Sequence, residues 1–279
     1  MRDVWSTPTE HRRRARETIT RTITPAIDSV HMVRTAINVY SVRELDDSVL
    51  ELIDRVAEAG YDGIQFSGNH TALDGDHEEI ATALKETGLE VPPPHVSIEK
   101  LEESLDEVRI AYEALGVNEA AVPYLPQSEF QSVDAIDQTT RRLSALHDEL
   151  DDENWDLHYH YHDHEFGNID DEVTGFETLT ERTDIKIELD VGWAQYAGRD
   201  PIELIETYGN RMPLIHMKDL DTDAEPRECF REIGEGDVDM QGCADAARDA
   251  GSEWLIYEHD DPEDPLASID YGAEFLDSL

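Results

Sequence analysis

IKIELDVGWAQYAGRDPIELIETYGNRMPLIHMKDL, residues 185–220, decides the architecture. Two β-rich runs, IKIELDVGW (185–193) and MPLIHMKDL (212–220), flank one helical stretch. Asp200 and Pro201 start that helix as N-cap and first helical residue, and Gly209-Asn210 ends it. A strand, a short helix and a second strand form a βαβ unit, which demands parallel pairing. Outward from this unit the same alternation repeats. Upstream, β-rich runs at 33–42, 61–66, 91–97, 118–126 and 155–162 alternate with amphipathic stretches at 46–60, 77–88, 98–116, 128–150 and 171–183. The prolines of VPPPHVS (91–97) make that third strand irregular. Downstream, the loop 221–236 leads to a helix that Asp237 or Asp239 caps, then EWLIYEHD (253–260) and a last helix over 265–279. Eight strands alternating with eight helices predict a single α/β domain, a (β/α)₈ TIM barrel. A doubly wound open sheet is the alternative, but no Gly-rich dinucleotide turn follows an early strand.

Residues 1–31 stand apart, with six arginines and four acids in a chain whose net charge is −44. We read them as an N-terminal extension, a helical arm or a disordered segment, and residues 32–279 as the catalytic barrel. The 66 acidic against 22 basic residues argue against nucleic acid as a partner, since phosphate binding needs a basic footprint. Spread over regular apolar periodicity, they suit a halophilic protein whose acidic surface is screened in a salt-rich cytosol. Cys229 and Cys243 make neither a disulfide framework nor a metal finger. No apolar run approaches membrane-spanning length and no apolar signal core is present, so the expected location is cytoplasmic, away from membranes.

Barrel active sites lie at the carboxyl ends of the strands. WDLHYHYHDHE (155–165) places His158, His160, His162 and His164 at alternate positions. His158 lies deep in the fifth strand, His160 and His162 toward its end and His164 in the loop beyond, so His160 is the one placed to meet the later strand ends. The sixth strand ends at Asp190, the seventh at His216 and the eighth at Glu258. Each alone has a plain structural explanation: a cap, a satisfied core histidine, an ion pair with Lys218. Together they put one metal-competent group at each of four successive strand ends. Two imidazoles and two carboxylates suit Mn²⁺, Fe²⁺, Co²⁺ or Zn²⁺ better than Ca²⁺, and the lack of thiolates argues against a closed structural zinc site.

HYHYHDHEF resembles the "YHNHxxEF" stretch of the xylose isomerase-like TIM barrel family of sugar phosphate isomerases and epimerases. Residues 188–220, IGEGDVDM and WLIYEHDDPEDPLASIDYGAEFL are similar to later segments of that family, and YDGIQF and PPPHVSIEKLEESLDEV to its second and third units. The likeness covers about residues 33–279. It implies one divalent metal, manganese foremost, held by Asp190, His216, Glu258 and, in place of the glutamate of the ketose epimerases, His160. It implies an isomerase or epimerase of a small sugar or keto-sugar, working by proton abstraction next to a carbonyl through an enediolate. An inosose dehydratase-like lyase is the alternative, which His160 favours, and an endonuclease IV-like repair enzyme is disfavoured by the charge. Glu258 is the first choice as base, then His162 or His95, with Lys218 near the developing oxyanion. Gln65, where relatives often carry glutamate, cannot be a base. Trp193 and Tyr196 offer an apolar wall and Arg231 a substrate contact. His95, Gln65, Trp193 and Arg231 are the expected substrate-binding residues. Few basic residues occupy the loops, so an unphosphorylated polyol, keto-sugar or inosose is preferred. A homo-oligomer is a family expectation.

Overall fold

The computed structural model describes residues 33–73, 75–169 and 173–279. The expected extension, 1–31, and the expected start of the fifth helix at Asp171 lie outside the described residues.

Seven strands form one parallel sheet: β1 (Arg34–Asn38), β2 (Gly63–Gln65), β3 (Glu119–Val122), β4 (Asp156–His160), β5 (Lys186–Asp190), β6 (Leu214–Met217) and β9 (Trp254–Tyr257). Their spatial order is β2-β1-β9-β6-β5-β4-β3. Residues 90–96 close the ring between β2 and β3. Ile64 N–H donates to the Glu90 carbonyl and His95 N–H to that of Phe66 on one side. Val96 N–H donates to the Ala121 carbonyl, and Ala121 N–H to that of Pro94, on the other. This is the expected third strand, reduced to isolated bridges. Pro92, Pro93 and Pro94 have no N–H to give to a ladder, so pairing survives only at the ends of the segment.

The helices start where the sequence caps them. Ser48 and Glu51 form a reciprocal capping box on α1 (Val49–Ala59), and Gly60, at φ 101°, ends it in the left-handed region that favours glycine. Helices α2 (His77–Thr87), α3 (Ile98–Glu113), α4 (Val133–Asp151) and α5 (Gly175–Arg182) alternate with the strands. Two expected boundaries move. The strand read as 185–193 stops at Asp190, whose side chain accepts from Trp193 N–H and caps α6 (Val191–Tyr196). Helix α7 (Pro201–Tyr208) starts at the Asp200 cap as expected. The loop 221–236 contains a two-stranded antiparallel ribbon, β7 (Asp219–Leu220) with β8 (Phe230–Arg231). Of the two candidate caps for the next helix, α8 (Met240–Ala250), Asp239 does so, while Asp237 accepts from Thr222 instead. Helix α9 (Pro265–Ser278) closes the described chain.

Inside the ring, side chains point inward at every second residue and stack in layers. Ala36, Leu214, Trp254 and Ile256 form an apolar plug. Below it, His158 pairs with Glu119 at 2.7 Å and Lys186 with Asp156 at 2.7 Å. Above it, where barrels usually pack branched aliphatics, the layers are polar, and these carry the site.

Candidate metal centre

Two polar layers sit over the plug. The lower holds Asn38, Gln65, His95, His160, Glu188 and His216, all buried. Glu188 is its centre. It receives Gln65 Nε2 at 2.6 Å and His95 Nε2 at 2.7 Å. His216 Nε2 lies 3.0 Å and His160 Nδ1 3.2 Å from its oxygens. Asn38 Nδ2 donates to Gln65 Oε1 at 2.7 Å and contacts His95 Nδ1 at 3.2 Å. Since a carboxylate only accepts, His95 carries its proton on Nε2. Burial opposes the charge of Glu188, but His216 and His95 outweigh it and hold the carboxyl well below its usual range.

The upper layer is the mouth of the barrel. Asp190, Lys218 and Glu258 are buried there and Asp260 is nearly so. Lys218 Nζ stands 3.0 Å from Asp190 Oδ2, 3.1 Å from Glu258 Oε2 and 3.0 Å from Asp260 Oδ1. Burial disfavours the ammonium, yet Asp190, Asp260 and Glu258 hold its pKa well above the ordinary value. Burial pushes Asp260 up. His216 spans the layers: Nδ1 lies 2.7 Å from Glu258 Oε2 while Nε2 faces Glu188. Burial lowers its affinity for a proton, but Glu188 and Glu258 push its pKa up to about 10. A proton on His216 thus bridges two carboxylates.

The residues fit a divalent cation. His160, Asp190, His216 and Glu258 each offer a ligand atom, all within 4.8 Å of one another. Asp190 Oδ2, His160 Nδ1 and His216 Nε2 are buried and lack a hydrogen-bond partner. Each has an ionic neighbour at 3.0–3.2 Å, but out of line for a hydrogen bond. Orphaned buried polar atoms are rare in proteins. Asp190 Oδ2 is the one in the upper cluster, while His160 Nδ1 and His216 Nε2 face Glu188 in the layer beneath. Three carboxylates against one ammonium in the upper layer leave a charge deficit that a divalent ion would offset.

The other candidates fall in three places. His162 is half-buried at the mouth, with its Nδ1 unpartnered and its ring 4.8 Å from that of His160. Burial, then His160 and Lys218, hold it well below its ordinary pKa, so it is a neutral imidazole. Trp193 lies beside it at 5.9 Å, with Lys218 Nζ 5.3 Å from the indole centroid, and Tyr196 packs edge-on behind. Gln65 and His95 sit in the lower layer, beneath the mouth. Arg231 stands apart: its guanidinium is spent on Asp221 at 2.6 Å and on the carbonyls of Glu228 and Phe230, within the ribbon. Lys218 pairs with Glu258 and leaves Asp219 alone, because Asp219 accepts from the N–H groups of Leu220, Gly234, Gly236 and Val238. The alternating histidines do not share one face. His158 pairs below the plug, and β4 ends at His160, so His164 turns to the Leu125 carbonyl at 2.9 Å. Sequence reading misses Glu188 and Asp260. Glu188 is two residues from Asp190 in β5 and so on the same inward face, while Asp260 follows β9 and reaches Lys218 from the loop.

An inosose dehydratase of Geobacillus kaustophilus (strain HTA426) is 30% identical over 182 residues, 58% of this chain and 56% of that protein. The chain therefore matches just over half the length of this curated relative. A second inosose dehydratase, of Clostridium beijerinckii, is 27% identical over 27% of its length. A sugar phosphate isomerase/epimerase from Parabacteroides distasonis superposes with a TM-score of 0.72 at 20% identity, over 92% of this chain and 98% of that one. At that identity the likeness is one of fold. The profile of the xylose isomerase-like TIM barrel matches residues 53–279, which include Asp190, His216 and Glu258 and the whole upper layer. The chain belongs to the xylose isomerase-like TIM barrel family.

Proposed function

We propose that the chain is a divalent-metal-dependent lyase that removes water from an unphosphorylated keto-polyol of the inosose class. The convergence of His160, Asp190, His216 and Glu258, with Asp190 Oδ2 buried there and without a hydrogen-bond partner, carries the reading. These four residues would hold the ion, Mn²⁺ foremost. When bound, it would polarise the substrate carbonyl and make the neighbouring C–H acidic.

The chain's own residues divide the remaining work. Glu258 is engaged by His216 and Lys218, which leaves it a ligand and a poor base. His162, neutral and with a free ring nitrogen at the mouth, takes the proton from the carbon next to the carbonyl. Asp260 and Lys218, 3.0 Å apart, form an acid pair that hands a proton to the departing β-hydroxyl as the C–O bond breaks. The carbon–carbon double bond forms, water leaves, and the two protons balance. Trp193 walls the ring of the substrate and excludes solvent.

Two observations favour loss of water over epimerisation. Both curated relatives are named inosose dehydratases. An epimerase needs a second base on the opposite face. The carboxylate nearest that role, Glu188, is fully buried beneath the mouth and held by Gln65 and three imidazoles. The isomerase or epimerase reading rests on the structural likeness to a sugar isomerase/epimerase. Incubation with Mn²⁺ and a panel of inososes and ketoses in deuterated water separates the two. Rising enone absorbance with loss of water supports the lyase. Deuterium incorporation without dehydration would replace it with the isomerase or epimerase.

A further inference from the structure

His160 and His216 each present one ring nitrogen to each polar layer. His160 Nε2 lies 3.9 Å from Asp190 Oδ2 in the upper, and Nδ1 3.2 Å from Glu188 Oε2 in the lower. His216 Nδ1 faces Glu258 and Nε2 faces Glu188. The lower layer adds His95, whose Nε2 is 2.7 Å from Glu188 and whose ring stacks on His216 at 5.5 Å, tilted by 4°. Its four donors also lie within 4.8 Å of one another. The two nitrogens without a hydrogen-bond partner, His160 Nδ1 and His216 Nε2, are the two aimed at it.

We propose that the barrel contains a second cation seat below the first, formed by His95, His160, Glu188 and His216. It takes a small, imidazole-preferring ion such as Zn²⁺, and it cannot be filled together with the upper seat. Three imidazoles and one carboxylate are a tetrahedral donor set for zinc once His95 carries its proton on Nδ1, where Ser67 Oγ at 3.2 Å can accept it, and frees Nε2 for the ion. Donors about 2.1 Å from a common centre stand about 3.4 Å apart, so the contacts of Glu188 at 2.7, 3.0 and 3.2 Å need to open by less than about 1 Å. All four are buried, and the Gln65 amide covers Glu188, so no open position remains for water or substrate. Such a seat is closed and catalytically silent. Exclusivity follows from electron count: a neutral imidazole has one lone pair, and His160 and His216 can give it upward or downward but not both ways. Zinc in the lower seat thus removes two ligands from the upper one and inhibits. The exclusivity, though not the seat itself, rests on the upper site proposed above.

The test uses the full chain, stripped of metal and titrated separately with Zn²⁺, Co²⁺ and Mn²⁺. The wild type should bind one ion per chain and give an intense, tetrahedral cobalt spectrum. Glu188 and His95 are ligands of the lower seat alone, so Glu188→Gln and His95→Asn remove a donor there and at most an outer-shell partner from the upper seat. Each should weaken zinc by more than the roughly 100-fold that loss of an outer-shell partner costs, and turn the cobalt spectrum weak, while Mn²⁺ affinity falls by no more than that outer-shell cost. Asp190→Asn should do the reverse. Wild-type zinc affinity and cobalt spectrum in both lower-seat variants would overturn the inference, and so would two ions bound at once. Mn²⁺ binding indifferent to Asp190→Asn would instead sink the upper site and leave the lower seat standing.

Discussion

Replacing Lys218 with methionine removes the only ammonium among Asp190, Glu258 and Asp260 while keeping most of the side chain's volume. The three contacts are 3.0, 3.1 and 3.0 Å. At an effective dielectric of about 20, each is worth about 5 kcal/mol before desolvation is subtracted. Taking the lysine from water offsets most of that sum, and breaking a buried ion pair by removing one partner costs about 3–5 kcal/mol net. The metal-free Lys218→Met protein should therefore melt roughly 10 °C below the metal-free wild type. Lys218 also competes with a cation for Asp190 Oδ2 and Glu258 Oε2. Its removal should tighten Mn²⁺ binding at least about tenfold, or ~1.4 kcal/mol, so that added Mn²⁺ restores part of the lost Tm. Scanning calorimetry with and without Mn²⁺, beside a direct binding titration, reads both effects. A metal-free Tm within about 2 °C of wild type, or weaker Mn²⁺ binding, would refute the reasoning.

Other parts of the fold give three more expected outcomes. Asp219→Ala strips the acceptor from the N–H groups of Leu220, Gly234, Gly236 and Val238 and should cost about 2–4 kcal/mol in chemical denaturation, with Asp219→Asn recovering part of it. With a net charge of −44, the protein should gain several degrees of Tm between low and molar KCl; a flat Tm would count against a salt-adapted surface. His164 gives a pH signature. Burial lowers its proton affinity, but Asp163 and Glu165 outweigh it and raise the pKa from 6.5 to about 10. A raised folded-state pKa contributes stability that is complete below about pH 6.5 and lost as pH climbs through about 10. His164→Gln should flatten the fall in stability across that window.

The strands and most of the upper layer are legible in the sequence because apolar runs end in a single ligand-type residue. His160, Asp190, His216 and Glu258 stand out that way, and the structure brings them together. Glu188 and Asp260 escape a reading that looks only at the terminal residue of each run. The period of two finds Glu188, which shares its face with Asp190 in β5, whereas Asp260 lies past the end of β9, where no strand period applies. The weak third strand is readable from its prolines, which deny the ladder its donors. Arg231 is not a mouth residue because the β7/β8 ribbon turns it toward Asp221, and that ribbon depends on an antiparallel register that no local pattern in 221–236 announces. The alternation of the histidines puts the end of the strand at His162, but β4 ends at His160. Beyond it the backbone is shaped by the buried Glu165, which takes Tyr159 OH at 2.5 Å and His162 N–H at 2.9 Å.

His216 belongs to both cation seats, so its removal disables each at once. The most direct measurement is the metal content of the full chain purified without added metal, wild type beside His216→Ala. We expect one divalent ion per wild-type chain and a variant that folds but retains almost none. No ion in the wild type, or equal metal in both proteins, would contradict the assignment of a metal centre to this barrel.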